Sequence, residues 1–543
     1  MRKLLLALFL LFCSSAMLIT ATNNYYFYVQ FANKNNTPYS LTTPSAYLSA
    51  RAIARRASFN ISCDSTDLPV NQDYVNQIVN LGIKIHMRSK WMNGVTVLVS
   101  DSNIMNQVRS LAFVKKVQYT GRLSVASAVR QKSKFVSESI DYGTALTQIN
   151  QINGSYLHNL GYTGKGIYVG VLDAGFNSVN INPGFDSLRL SGRLLGTKDI
   201  AESNGNVYTM DAHGANVLSI MTGKLTGASP YSGTAPHASF WLIRTEYAPT
   251  EYLVETDFWV SGIEFADSVG VDVVNSSLGY TGFDSIPMSF TYADMNGKVS
   301  RASLAATMAA EKGIIVCNSA GNDGNKTWYY IGSPADADGI ISVGSVTSTG
   351  AASAFSSFGP TSDNRIKPEI CGMGSSTAFI YTNGLRYTGN GTSYSSPVIA
   401  GMMACYLQYA KANFTSLTVP KILESVFKSG NQYSIPTAQL GYGIPNFQTA
   451  VNNLITSNLI ENKVGENFTA YYNTETSSVE VVLCETTADK CSIRVYSLTG
   501  NLVLSQQITD IQTSLPARNL SSGIYIVNIV GAKFNESQKV IIR

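Results

Sequence analysis

The stretch IYVGVLDAGF, residues 167–176, decides the fold. An apolar run closed by an acid and then Ala-Gly is how a strand buried on both faces reads at its carboxyl end. Working outward, ASFWLIR (238–244), VDVVNSS (271–277), GIIVCNSA (313–320) and GIISVGSV (339–346) repeat the pattern. Between them lie helical segments, clearest in HGANVLSIMTG (213–223), SGIEFADSVG (261–270) and SRASLAATMAAEKG (300–313). Strands alternating with helices predict an α/β unit over 142–455, a doubly wound, mostly parallel sheet covered on both faces.

The flanks read differently. Residues 23–125 mix strand-like YYFYVQF, NGVTVLVS and VKKVQYT with helix-like SARAIARRA and NIMNQVRSL, which predicts a small α+β module. Polar VRQKSKFVSES (129–139) sits in a linker, 126–141, open to cleavage. Residues 465–543 turn to alternating strands, VEVVLCE, CSIRVYSLTGNLVLSQQI and SSGIYIVNIVGAKFNESQKVIIR, which predict a small all-β sandwich. At the start, MRKLLLALFLLFCSSAMLITATNN has the basic, apolar and small-residue order of a secretory signal peptide over 1–22. No later stretch reaches the roughly 18 apolar residues needed to span a bilayer.

A chain of 543 residues exceeds one ordinary core, and 45% hydrophobic with 14% charged residues is a globular composition. A net charge of +4 spread over that length gives no reason to expect nucleic acid as a partner. Cys317, Cys371 and Cys405 fall in apolar surroundings and read as core thiols, while Cys484 and Cys491 could flank a hairpin, oxidised or not. Neither CxxC nor HExxH occurs, so zinc chemistry has no support.

Ligand chemistry in open α/β sheets sits beyond the carboxyl ends of the strands. There the chain places Asp173 after one strand, Ser277-Leu278-Gly279 after another, and Gly321-Asn322 after a third. His213 and Ser393 stand at the fronts of two helices. This is the inventory of acyl transfer: a hydroxyl nucleophile, an imidazole to take its proton, and a buried carboxylate to orient the imidazole. Asn322 and the backbone N–H of Ser393 supply donors for an oxyanion, helped by the positive end of the Ser393 helix.

The order Asp, His, Ser is the one subtilisin uses. VGVLDAGF, DAHGANVLSIMTG, GTAPHA, NSSLG, SAGNDG, KPEICGMG, NGTSYSSPVIAG and GYGIPNFQTAV resemble the successive blocks of the subtilisin-like serine proteases, the subtilases. The resemblance implies a secreted serine endopeptidase, made as a zymogen, with Asp173, His213 and Ser393 as its triad. It also implies an oxyanion hole of Asn322 and Ser393, and a substrate-binding set of Ser277, Leu278, Gly279 and Gly321. Departures from the family pattern are Asn216 where a second histidine is usual, and Tyr394 and Val398 around the nucleophile. The aromatic insertion YTGFDSIPMSFTYADMNGK (280–298) reads equally as a subsite wall and as a surface excursion.

PYSLTTPSAYLSARAIARRA and MNGVTVLVS look like an inhibitor-type prodomain. IRVYSLTGNLV, LSSGIYIVNI and KVIIR look like the sorting domain read by the type IX secretion system. The expected partners are therefore protein or peptide substrates, the chain's own prodomain and the secretion machinery. The enzyme is expected to be a monomer, secreted or held at the cell surface. No cofactor is required; calcium commonly stabilises such proteases, but no loop here has a ligand spacing that supports a calcium site. The alternative is a catalytically silent surface protein that binds peptide on the same fold.

Overall fold

The computed structural model describes residues 24–123, 141–202, 205–248, 250–414, 417–461, 468–474, 476–483, 491–508, 510–530 and 535–542. The signal segment, most of the linker, Cys13 and Cys484 lie outside these residues, and so does the proposed pairing of Cys484 with Cys491.

Seven parallel strands form the central sheet, in the spatial order 370–373, 341–346, 315–319, 273–276, 168–173, 239–244, 194–199. Val169, Val171 and Leu172 are fully buried in the middle of it, between Val273–Ser276 on one side and Ser239–Arg244 on the other. The chain leaves Tyr168–Asp173 toward one edge and later returns to build the other half. Asp173 and Ser276 therefore end adjacent strands at the point where the winding reverses, which is where such sheets bind ligands.

Two sheet-edge strands were not expected from the sequence. Leu194–Asp199 is half-buried and Ile370–Met373 has only four residues, so neither shows a long apolar run. The helix expected from Ser261 begins at Val254, where Glu255 and Asp257 favour a helix N-terminus. It stops at Gly270, whose φ of +84° supplies a left-handed cap.

Residues 24–123 form an antiparallel sheet, ordered 84–89, 94–99, 24–31, 114–123, with helices Gln72–Asn80 and Met105–Arg109 against it. Tyr26 and Trp91 from this unit share a core with Phe258, Trp259 and Ala305 of helices Val254–Val269 and Arg301–Glu311. The basic helix Ala50–Ser58 extends the contact: Arg55 and Arg56 both pair with buried Asp267, which also takes Lys90. Burial alone would raise the Asp267 carboxyl, but Lys90, Arg55 and Arg56 outweigh it and hold the group well below the usual carboxylate range. Glu264 accepts hydrogen bonds from Ser89 Oγ and from the backbone of Lys90 and Trp91.

At the far end, strands 468–473, 478–483 and 512–516 make one antiparallel sheet, and 502–508, 491–497, 523–530 and 535–542 another. Val479, Val481, Ile493, Val495, Val527 and Ile529 close a single core between them. Among the described residues no helix is long and apolar enough to cross a membrane.

Candidate active site

Asp173 ends its strand fully buried, and its Oδ1 accepts the backbone N–H of Ala174 at 2.8 Å. His213 opens the helix His213–Thr222 and is held there by its own N–H, which donates to Asp211 Oδ1 at 2.6 Å. Its Nδ1 lies 2.9 and 3.1 Å from the two Asp173 oxygens. Gly214 makes this approach feasible, since a Cβ there would sit 2.5 Å from the Gly175 carbonyl and 2.8 Å from Asp173 Cβ. Burial disfavours the imidazolium, yet Asp173 by charge and hydrogen bond, with Asp211, reverses the sign and raises the His213 pKa above its ordinary value.

Ser393 is the second residue of the helix Thr392–Asn413, and Pro397 follows four residues later. A proline has no N–H, so the Ser393 carbonyl loses its helical donor. Ser277 Oγ takes that place, donating to Ser393 O at 3.0 Å. Asn275 holds Ser277 in turn, donating from Nδ2 to Ser277 Oγ at 3.0 Å, and accepts Ser396 Oγ at 2.8 Å on its other atom. This buried chain ties the start of the Ser393 helix to the end of the Val273–Ser276 strand. The Ser393 hydroxyl itself donates to Ser277 O at 3.3 Å. It makes no hydrogen bond to His213 among the described residues, so the expected nucleophile–base bond is not formed in this state.

Asn322 Oδ1 accepts the N–H of Thr392 at 2.8 Å and the Thr392 hydroxyl at 3.1 Å. Committing its oxygen this way leaves Nδ2 as the free donor of the carboxamide, facing the same loop as the Ser393 N–H. Gly391, at φ +154°, lies between the two: the position of a Cβ there would be 3.7 Å from both Asn322 Nδ2 and Ser393 N, an ordinary contact. Gly321 has φ +115° and donates its N–H to Thr392 Oγ1 at 3.2 Å. Ser277 is buried, Leu278 half-buried and Gly279 exposed, so the segment surfaces beside Ser393. Asn318 Nδ2 steadies it through the Leu278 carbonyl at 3.1 Å.

Two of the three departures noted from the sequence, Asn216 and Tyr394, meet in space. The Asn216 side chain lies by the Tyr394 hydroxyl and favours its ionised form, and the Tyr394 ring stacks on Phe379 at 5.1 Å and 13°. Its centroid is 6.3 Å from that of His213.

On the other flank, Tyr280 from the aromatic insertion is buried and donates its hydroxyl to Glu246. Phe283 and Met295 of the same insertion are buried, while Ile286 is 82% exposed, so the segment is a packed wall with an exposed tip. Oxygens of Glu246, Glu251 and Glu255 lie within 4.8 Å of one another and are the acidic group able to hold a cation among the described residues. Backbone N–H groups of Tyr247 and Tyr252 already donate to Glu255, at 2.8 and 3.2 Å. Burial, then Asp284, pushes Glu251 up to about 7, and burial with mutual repulsion raises Glu246 and Glu255 well above the carboxylate range. Protein donors thus reach Glu255 and, through Tyr280, Glu246.

Asn275, Ser396 and Thr392 escaped the sequence reading because hydroxyl and amide residues at strand and helix ends read as ordinary caps. The Glu246 group escaped because its members are spread over nine residues, two in irregular chain and Glu255 at the start of a helix. Pro397 was visible, but its effect on the Ser393 carbonyl needed the helix register.

Comparison with known proteins agrees with this architecture. The profile of the Subtilase family matches residues 164–443, just over half of the chain. A Bacteroidota Peptidase S8 propeptide domain matches 26–137, and a secretion system C-terminal sorting domain matches 471–543. Subtilisin NAT of Bacillus subtilis subsp. natto is 27% identical over 373 residues, covering 68% of this chain and 83% of its own. Subtilisin of Bacillus pumilus is 28% identical over 317 residues, covering 58% and 99%. Among solved structures, that of MycP3 protease from the type VII (ESX-3) secretion system aligns with a TM-score of 0.44 at 20% identity, over 57% of this chain and 89% of that one. The protein carries an S8 propeptide and a sorting domain that directs its export to the exterior or the cell surface, and its central unit belongs to the subtilase family.

Proposed function

We propose that the protein is a serine endopeptidase made as a zymogen, with Asp173, His213 and Ser393 as its catalytic residues. The observation that carries this reading is the Asp173–His213 pair, 2.9 Å apart at the rim of the sheet beside the Ser393 helix. His213 takes the Ser393 proton as Oγ bonds to the substrate carbonyl carbon. Asp173 holds the imidazole in the correct tautomer and stabilises the imidazolium. Negative charge develops on the carbonyl oxygen and is met by Asn322 Nδ2 and the Ser393 N–H. His213 then protonates the leaving amine, and a water molecule, deprotonated by the same imidazole, releases the acyl group. Ser277–Gly279 pairs with the substrate on the acyl side. None of these steps needs a metal or cofactor.

The zymogen reading assigns 23–125 to the inhibitor, 126–141 to the processed linker, 142–455 to the peptidase and 465–543 to sorting. Two contacts support cleavage between the first and third. The last inhibitor strand passes Tyr252, beside the Glu255 cluster, where Arg122 bonds the Tyr252 hydroxyl at 3.3 Å. The chain reappears on the opposite flank, with Thr144 accepting from Arg386 at 3.2 Å.

The test is hydrolysis of a denatured protein by the secreted, processed enzyme and by Ser393→Ala. A loss of at least about 10⁴-fold is expected; equal activity refutes the mechanism. The silent peptide-binding reading draws on one observation, the Ser393 hydroxyl turned to Ser277 O. It predicts that a serine-directed phosphonate leaves Ser393 unlabelled.

A further inference from the structure

The hairpin after the sheet's last strand has two unlike faces. Thr377–Ile380 pairs with Arg386–Gly389, Phe379 opposite Tyr387. Ala378 and Ile380 point inward and are buried with Ile149 and Tyr231. Ser219 Oγ, from the His213 helix, accepts the Ile380 N–H at 2.8 Å. The period of two then sends Phe379, Tyr381, Leu385 and Tyr387 to the other face. Tyr381, Leu385 and Tyr387 are 39, 60 and 45% exposed and form one largely apolar surface cluster.

This face runs into the active site. Tyr387 lies 5.5 Å from Tyr381 and 6.4 Å from Phe379, and Phe379 stacks on Tyr394, the neighbour of the nucleophile. Gly389 keeps the strip continuous, because a Cβ there would meet the Tyr394 ring at 2.5 Å. Its polarity follows from the chemistry. The acyl half of a substrate lies along Ser277–Gly279, whereas the leaving amine must face the imidazole that protonates it. The hairpin is packed on the helix that carries this imidazole.

We infer that the Phe379–Tyr387–Tyr381 face is a docking strip for the leaving-group half of the substrate, selecting an aromatic or branched apolar residue beyond the scissile bond. The inference rests on the serine protease reading and adds a substrate preference to it. At about 3.3 Å per extended residue, Tyr387 and Tyr381 come within reach of the third to fifth residues after the cleaved bond. Their rigid rings offer contact area at low entropic cost, and Asn383 Nδ2 already fixes the Tyr387 hydroxyl at 3.0 Å.

The experiment uses the secreted, processed enzyme and two quenched fluorescent peptides built on a cleavage site found in a denatured protein. The peptides are identical through the second residue after the cleaved bond and carry either tyrosine or serine at the third and fourth. The expected kcat/KM ratio, tyrosine over serine, is about tenfold in the native enzyme and arises in KM. In Tyr387→Ala it falls to within about twofold. The ratio is internal to each preparation, so a reduced folded fraction does not disturb it. If Tyr387→Ala yields no folded enzyme, Tyr381→Ala at the hairpin tip is expected to lower the same ratio at least threefold. A native ratio near one, or a ratio unchanged in the folded variants, overturns the strip while leaving the protease intact. Failure to cut either peptide, with Ser393 refractory to phosphonate, removes the protease reading as well.

Discussion

Arg56 of the propeptide and Asp267 of the peptidase unit meet at 2.9 and 3.0 Å, with both side chains shut away from solvent. A buried pair of this kind is costly to form and costlier to break from one side, at about 3–5 kcal/mol, because the remaining charge is stranded. Asp267 serves three cations at once, so Asp267→Ala takes the carboxylate partner from Arg55 and Lys90 together and leaves Arg56 with Asp67 alone. In a full chain stabilised against processing by Ser393→Ala, this second substitution is expected to expose the propeptide to trypsin at least tenfold faster. Unchanged digestion would show that the apolar contact around Trp91 and Phe258 holds the propeptide by itself.

The acidic limb of the pH–rate profile should report His213. The imidazole must be neutral to accept the Ser393 proton, and Asp173 raises its pKa above the ordinary histidine value, so kcat/KM is expected to climb through a midpoint above about 6.5. Asp173→Asn removes the charge that favours the imidazolium. Its residual activity, lower by about 10⁴-fold, should titrate with a midpoint shifted to lower pH. A midpoint that stays put would mean the carboxylate is not what sets the imidazole acidity.

Gly389→Ala tests the packing beside the nucleophile. The new methyl would fall 2.5 Å from the Tyr394 ring edge and 3.0 Å from Phe379, so the ring must move while joined to Ser393 by one peptide bond. Turnover is expected to drop roughly tenfold, since small misplacements of reacting groups are expensive. Adding Tyr394→Ala removes the obstruction and should restore part of the loss, read as kcat in the single and double variants.

The Glu246–Glu251–Glu255 group makes a prediction about stability. For Glu251 the folded value, about 7, lies above the unfolded 4.5. The folded state therefore binds more protons between those values, and stability must fall as pH rises through that window. Glu251→Gln should flatten this segment of a Tm–pH curve and add on the order of 1 kcal/mol at pH 8. Chelation with EDTA is expected to leave both turnover and this curve unchanged. A Tm that rises with added calcium in the native protein, but not in Glu251→Gln, would assign the cluster to a cation instead.

Much of this was readable in the chain. Long apolar strands announce themselves, and Asp173, His213 and Ser393 each stand where such a run stops or a helix begins. The edges were harder: Leu194–Asp199 alternates too weakly, and Ile370–Met373 is too short to show a period. The start of helix Val254–Val269 was missed because buried Glu255 and Asp257 look like loop residues until their partners are known. Glu255 is held by two backbone amides and Asp257 by Arg301, relations that join distant or irregular segments. The approach of Asn216 to Tyr394 is of the same kind. Each departure was visible alone, but only the fold makes them one feature.

If the chain is processed as proposed, Asp267 and Glu264 remain with the peptidase when Arg55, Arg56 and Lys90 depart with the severed segment, while Asp272 loses Arg51 and keeps Lys411 alone. One face of the liberated molecule would then present Asp267 without its cations and Lys312 without Asp64 and Asp67, a charge pattern complementary to that of the segment. Recapture of a free inhibitor is then drawn by long-range attraction that added salt screens, whereas its retention depends on contacts too dry for salt to reach. Ionic strength should accordingly govern how fast latency is regained and hardly affect how long it lasts.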